Sequence, residues 1–333
     1  MTDRHGAGSL AAAASAIREA RRVTAICHEA PDADTIGGAA AVALVARRLG
    51  KEAEIVSADA PAPLFGFLPG IGDVRPAPQL EPDLAVICDA ATLARVGRIA
   101  TQHADWFARA RILNIDHHVS NAGFGDINLV DPTAAATCEV LAQLVTELEL
   151  PLDQPLATAL LTGIVRDSQG FSDPSTSART LRIAAELVDA GAPIADIHRT
   201  VLMELAYPTM ALWGKMLAGL GEAEHGRVVY ATLTESMLAE TGTQQHDADG
   251  LAEFLARAKG AEVTLLLREL GAETRVSIRV TGGIDATEIA ASFGGGGHRR
   301  RAGCTVTEPL AAALPRVLAA TREAVLRSQA ART

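Results

Sequence analysis

Hydrophobic and polar positions along the chain follow two different periods. Short apolar runs at Val23 to Cys27, Ala53 to Ser57, Leu84 to Cys88 and Arg111 to Ile115 read as buried strands. Thr35 to Leu49 and Thr137 to Leu148 carry helical spacing instead. Strands separated by helices predict a parallel sheet covered on both faces. Helical spacing continues over 151–190 until Gly191-Ala192-Pro193 punctuates the chain, and 194–222 reads as a helical connector. From Arg227 the pattern changes to strands at Val228 to Leu233, Glu262 to Arg268 and Thr274 to Val280, with helices at 247–258 and 308–327. The chain is therefore expected to be α/β: an N-terminal parallel-sheet domain with helices on both faces, a helical connector, and a smaller C-terminal α/β domain with a mixed sheet.

Composition narrows the function. A chain of 333 residues suits two domains of roughly 100–200 residues each. Aromatics are scarce, with 7 Phe, 2 Tyr and 2 Trp, which argues against long single-stranded nucleic acid stacked base by base and leaves short substrates open. The net charge of −10 argues against a basic surface for long DNA or acidic membranes. That charge is uneven. Residues 295–333 hold seven Arg (Arg299, Arg300, Arg301, Arg316, Arg322, Arg327, Arg332) and two Glu, net +5, so the first 294 carry −15. This division fits metal binding in one part and phosphate binding in the other, with solvated charge as the plainer alternative.

Cys27, Cys88, Cys138 and Cys304 form no C-x-x-C pair, so neither a zinc ribbon nor a disulfide framework is expected and a reducing cytoplasm is the natural setting. Cys27 and Cys88 read as small buried hydrophobes or as neighbours of a redox-sensitive site. The N-terminus lacks a signal-peptide layout, and no apolar stretch reaches the ~18 residues of a membrane span. His5, His103, His198, His225 and His246 have no convincing partners in sequence and read as surface or structural residues.

Three predicted strands end in polar residues of metal-binding type: His28, then Asp89, then Asp116-His117-His118. Those positions lie at the carboxyl edge of a parallel sheet, where ligands bind. His28-Glu-Ala-Pro-Asp32-Ala-Asp34 places an imidazole and two carboxylates between a strand and a helix, although Asp34 there also suits a helix cap. Two adjacent histidines at a strand end face opposite ways, so one can ligate while the other meets substrate. Asp167 sits near the end of a helical pattern. Together His28, Asp32, Asp34, Asp89, His117 and Asp167 offer four carboxylates and two imidazoles without a thiolate, which suits Mn²⁺ or Mg²⁺, with Fe²⁺ or Co²⁺ as substitutes. Two such ions about 4 Å apart would share a carboxylate and activate a water toward a phosphate ester or anhydride.

These motifs, in this order and followed by Phe293-Gly-Gly-Gly-Gly-His298 and Ala302-Gly303, resemble the DHH phosphoesterase superfamily in its DHH plus DHHA1 arrangement. Leu68-Pro-Gly70, Asn128-Leu-Val-Asp-Pro132 and Ser277-Ile-Arg279 point to the nanoRNase/pAp phosphatase subgroup, with its cyclic-dinucleotide phosphodiesterase relatives. The resemblance implies a DHH catalytic domain over 1–192, a connector over 193–225 and a DHHA1 substrate domain over 226–333. It implies one Mn²⁺ on His28 and Asp32 and a second on Asp34, His117 and Asp167, with Asp89 bridging and Mg²⁺ or Co²⁺ as possible substitutes. Asp89, Asp116 and His118 form the catalytic set, His118 contacting the scissile phosphate or assisting the leaving group. Ser277, Arg279 and His298 would grip the non-scissile phosphate, with Gly295, Gly296 and Gly297 letting backbone come close.

The activity so implied is hydrolysis of pAp to AMP and phosphate, of 2–5-mer oligoribonucleotides, or of linear or cyclic dinucleotides. A site between the domains would close on the substrate and measure its length, in a homodimeric cytoplasmic enzyme acting on neither long DNA nor membrane. Rivals are an inorganic pyrophosphatase or exopolyphosphatase with the same cluster, a longer-substrate single-strand exonuclease, and a catalytically silent nucleotide sensor. Two departures stand out: Ala33 where the family commonly has Gly, and Val280 where it often has Ser.

Overall fold

The computed structural model describes residues 9–330, so His5 and Arg332 lie outside the described residues. The chain forms two compact units that part between Glu204 and Leu205. In the first unit the helices are α1 (Leu10–Glu19), α2 (Ala33–Arg48), α3 (Arg98–Gln102), α4 (Ala104–Arg109), α5 (Thr137–Glu147), α6 (Gln154–Asp167), α7 (Ala178–Asp189) and α8 (Ile194–His198). Its strands are β1 (Arg22–Ile26), β2 (Glu52–Val56), β3 (Leu84–Cys88), β4 (Arg111–Asp116) and β5 (Ile127–Val130).

All five strands run parallel in the order β2-β1-β3-β4-β5. Alternation along each strand builds two apolar layers. Val23, Ala25, Val86, Leu113 and Ile115 pack with α1, α2, α5 and α6, while Ile26, Ala85, Ile87 and Ile112 pack with Val96, Ile99, Trp106 and Phe107 on the opposite face. The four apolar runs are all strands. The edge strand β5 was not anticipated, because Asn128 interrupts its four residues; the Asn128 amide is instead exchanged with the Gly125 backbone. The helical pattern of 151–190 breaks after Asp167, where Gln169, Gly170 and Phe171 take positive φ of 49°, 65° and 69° and no right-handed helix can continue. Ala33 opens α2 in ordinary helical backbone, so the absence of Gly there carries no conformational cost.

The second unit contains α9 (Tyr207–Ala218), α10 (Glu235–Thr241), α11 (Leu251–Leu255), α12 (Ala286–Ala291) and α13 (Leu310–Ala330). Its strands are β6 (Gly221–Ala223), β7 (Val228–Leu233), β8 (Val263–Leu270), β9 (Glu273–Val280), β10 (Gly296–His298) and β11 (Arg301–Val306). They form one mixed sheet in the order β10-β11-β9-β8-β7-β6, with β7 and β8 parallel and the other neighbours antiparallel. The helix expected over 247–258 is shorter: a 3₁₀ turn over Gln245–Ala248 is separated from α11 by Gly250 at φ 88°. Val280 is buried with Val276 and Ile278 on the core side of β9, so a hydroxyl at that position would not join Ser277 and Arg279. Among the described residues no helix is long and apolar enough to cross a membrane.

Candidate metal centre and phosphate-binding face

A parallel sheet ordered 2-1-3-4-5 leaves a crevice between β1 and β3, where the connections depart in opposite directions. His28 follows β1, Asp89 follows β3, and Asp116, His117 and His118 close β4, so three segments deliver their polar residues to one edge. The N-cap and first turn of α2 add Asp32 and Asp34, and the last residue of α6 adds Asp167.

The side chains form two groups of cation-binding size, His28 with Asp32 and Asp89, and Asp34 with His117 and Asp167, while Asp89, His117 and His118 form a third overlapping group. The two carboxylate oxygens of Asp89 face different groups: Oδ2 lies 3.5 Å from His28 Nε2 and Oδ1 lies 3.6 Å from His117 Nε2. His28 Nε2 is 3.6 Å from Asp32 and His117 Nε2 is 3.2 Å from Asp167. Asp89 itself adopts a left-handed backbone, φ 60°, a conformation that a non-glycine residue holds at some strain and that recurs at functional sites. Both imidazoles are oriented by carbonyls. His28 Nδ1–H donates to Glu29 O at 2.7 Å and His117 Nδ1–H donates to Ala134 O at 3.2 Å, which reserves Nε2 of each ring for the cluster.

Carboxylates and imidazoles in this cluster perturb one another strongly. Burial, then the charges of Asp167 and Asp89, push the Asp34 carboxyl well above its usual range. Burial and Asp89 raise Asp167 as well, against the hydrogen bond from His117. Burial opposes protonation of the imidazoles, yet hydrogen bonds to Asp32 and Asp89 push His28 up to about 10, and the bond to Asp167 with nearby carboxylates does the same for His117, also to about 10. Oxygen and imidazole donors so placed, with no thiolate among them, fit hard or borderline divalent cations. Cys27 and Cys88 are fully buried and burial raises both thiols, so they serve as small hydrophobes beside the cluster.

Asp116 stands behind the cluster and is absent from the groups of cation-binding size. It is fully buried, accepts His118 Nδ1–H at 2.7 Å and Asn121 Nδ2–H at 2.5 Å, and so fixes the His118 ring. Burial opposes it, but those bonds hold Asp116 below the usual carboxylate range, while Asp116 in turn raises His118. Asn121 also donates to Asn114, a polar residue inside an otherwise apolar strand; that anomaly is the one sequence signal for this support.

The backbone from Asp131 to Cys138 wraps the other side. Thr137 N–H and Cys138 N–H donate to the two oxygens of Asp34 at 2.6 and 2.9 Å, so Asp34 caps α5, whereas Asp32 caps α2. Thr137 Oγ1–H donates to Asp89 at 3.1 Å. Sequence reasoning passed over Thr137 because a Thr opening a helix is ordinary. Gly163 of α6 makes room for all of this: a Cβ there would stand 2.4 Å from Asp34 Oδ1 and from Cys138 Sγ. A cavity of about 460 Å³ elsewhere in this unit, bordered by Phe67, Pro155, Pro193 and Ile197, contains none of the cluster residues.

In the second unit, strand register sets the candidate phosphate residues side by side. Arg279 pairs with Arg301 and Arg301 with His298, while Ser277 pairs with Gly303 and Gly303 with Gly296. Paired and alternate residues share a sheet face, so Arg279, Arg301 and His298 form one row of nitrogen donors next to a row of Ser277 and two glycines. Arg301 is thereby distinguished from Arg299 and Arg300, which make the turn. Arg279 is already held: its Nε and Nη2 donate to Glu253 Oε1 at 3.1 and 2.5 Å. The glycines divide by role. Gly295 and Gly297 back onto β11, where a Cβ would stand 2.3 Å from Gly303 O and 2.5 Å from Arg301 O respectively, whereas the Cβ direction of Gly296 is open.

Comparison with known proteins identifies both domains. Residues 22–164 match the DHH family, N-terminal domain, and residues 225–326 match the DHHA1 domain. The bifunctional oligoribonuclease and PAP phosphatase NrnA of Thermus thermophilus is 34% identical over 305 residues, covering 90% of this chain and 89% of that protein. Its Bacillus subtilis namesake is 25% identical over 282 residues, covering 84% and 87%. Among solved structures, an exopolyphosphatase-related protein from Bacteroides fragilis shares the fold with a TM-score of 0.84 at 20% identity, covering 96% of this chain and 95% of that one. The chain belongs to the DHH/DHHA1 phosphoesterase superfamily, within the nanoRNase/pAp phosphatase group, and is a hydrolase of phosphate esters.

Proposed function

We propose that this chain is a Mn²⁺-dependent phosphoesterase of short nucleotides, taking pAp, 2–5-mer oligoribonucleotides, and linear or cyclic dinucleotides. The observation that carries the reading is Asp89, whose two oxygens face separate groups of donors. His28 and Asp32 would hold one cation and Asp34, His117 and Asp167 the other, with Asp89 between them. Bound there, two divalent cations supply a more acidic water and charge compensation for phosphoryl oxygen. The protein's own part is orientation and proton handling. Glu29 O and Ala134 O fix the imidazole tautomers, and Asp116 fixes His118 through Nδ1, leaving Nε2 of His118 to meet a phosphoryl or leaving-group oxygen.

The substrate class rests on the relative from Thermus thermophilus, named for both oligoribonuclease and PAP phosphatase activity, at 34% identity. The row of Arg279, Arg301 and His298 supports it, since a guanidinium fork suits a phosphate group, and open space over Gly296 admits it. A cytoplasmic setting accords with four free, buried cysteines.

The test is release of phosphate and nucleotide from pAp, di- to pentaribonucleotides, linear and cyclic dinucleotides and pyrophosphate, with Mn²⁺ and with chelator. Nucleotide turnover that requires Mn²⁺ is expected and selects among the substrates. Release from pyrophosphate alone, or nucleotide binding without turnover, would overturn the proposal.

A further inference from the structure

Glu139, in the first turn of α5, is completely buried, and its charge is met by Arg179 of α7. Arg179 Nε donates to Glu139 Oε1 at 2.6 Å, and its Nη2 reaches Asp131 Oδ2 at 2.8 Å. The other Glu139 oxygen accepts Ala135 N–H at 3.0 Å and Thr180 Oγ1–H at 2.8 Å. One guanidinium thus ties together both ends of the segment 131–139. Glu139 is fully buried while Arg179 stays partly exposed, so the guanidinium compensates a desolvated carboxylate from the edge of the fold, an arrangement that is weak evidence for a role in stability alone.

What the segment does between those ends explains it. Ala134 O receives the Nδ1–H of His117, Thr137 Oγ1 donates to Asp89, and Thr137 N and Cys138 N donate to Asp34. Three of the six candidate ligands, one from each of three different chain segments, are therefore oriented by a stretch of backbone that Arg179 and Glu139 hold in place. Asp131 N–H donates to Asp116 O at 3.0 Å, which ties the same stretch to the end of β4.

We propose that Arg179 and Glu139 are positioning residues for the cation site: the pair sets the backbone that fixes the His117 tautomer and the directions of Asp34 and Asp89. The inference rests on the two-cation reading above. Groups that orient metal ligands from behind typically change metal affinity by about 10–100-fold when lost.

The experiment uses the full chain freed of metal, as wild type, Arg179→Met, Arg179→Lys and the double variant Glu139→Gln with Arg179→Met. Mn²⁺ affinity is measured by calorimetry, Tm is measured without metal, and kcat and KM are measured across Mn²⁺ concentrations. Arg179→Met should weaken Mn²⁺ binding by at least ~10-fold, with kcat recovering as Mn²⁺ is raised and KM for nucleotide unchanged. Arg179→Lys, which can meet one carboxylate but cannot fork between two, should recover part of the affinity. The double variant removes the stranded buried charge, so its Tm should return toward wild type while Mn²⁺ binding stays weak. A double variant, or Arg179→Met itself, that binds Mn²⁺ as tightly as wild type would overturn the positioning role alone. Wild type that binds no Mn²⁺ would overturn the cation reading and this inference with it.

Discussion

Each imidazole in the cluster is set in advance by a carbonyl on one nitrogen and carboxylates on the other, and this has a measurable consequence. With His28 and His117 both pushed up to about 10, each ring is expected to hold a second proton, on Nε2, at neutral pH in the cation-free protein. Ligation through Nε2 displaces it, so Mn²⁺ binding at pH 7 should release about two imidazole protons and should tighten as pH rises toward 10. Calorimetry in buffers of different ionisation enthalpy reads this directly; identical heats in all buffers would show that no proton leaves. The residues themselves were legible in the sequence because His28, Asp89 and His117 each follow an apolar run. The roles of Asp116 and Asp34 were less so: in the structure Asp116 orients His118, and Asp34 caps a helix more than a hundred residues away. A contact of that sequence separation leaves no local pattern to read.

Elements differ in how far their sequence betrays them. β1 to β4 are predominantly apolar runs, as buried parallel strands tend to be, and were read without difficulty. β10 and β11 were missed because glycines and arginines carry little strand propensity; the hairpin is held by register with β9 and by the packing of Gly295 and Gly297 on β11. That packing separates two glycines usually grouped as one motif. Gly295→Ala should cost about 1–3 kcal/mol in unfolding experiments through overpacking, whereas Gly296→Ala should leave Tm unchanged and raise KM for nucleotide; equal Tm losses in both would contradict the division. Glu253 offers a second test in the same sheet. Burial opposes it, but Arg279 holds its carboxyl below the usual value. A group depressed in this way adds stability above its unfolded pKa and loses it as pH falls through the folded one. Glu253→Gln should therefore lower Tm at pH 7 and converge with wild type as pH falls below the usual glutamate range and through the depressed one; a constant difference at every pH would remove the pair as the cause.

At the scale of the whole chain, the two units divide the chemistry. The acidic donors gather in the first, and the row of Arg279, Arg301 and His298 lies in the second, consistent with the uneven charge along the sequence. A cation that binds only the folded first unit should stabilise that unit alone, by about 2.7 kcal/mol at a hundredfold excess over Kd. Hydrogen exchange followed by mass spectrometry should then show Mn²⁺-dependent protection at the ends of β1, β3 and β4 and the start of α5, with none across 228–306. Protection spread evenly over both units would refute the assignment. The switch in strand pattern at Arg227 marks the long strands of the second sheet, whereas helical spacing runs through the cut between Glu204 and Leu205 and leaves no signal there.

The seat of Asp34 depends on what is missing from α6. Because any Cβ at residue 163 would intrude on the carboxylate and on the Cys138 sulfur, the ligand set is completed by a hydrogen atom on a facing helix. This gives a filter for mining genomes that inspection of acidic and histidine motifs cannot provide. A related chain could retain all six donors and still be unable to assemble them if it carried a larger residue at the position of Gly163, and a designer wishing to silence the site without touching a ligand would begin with that one methyl group.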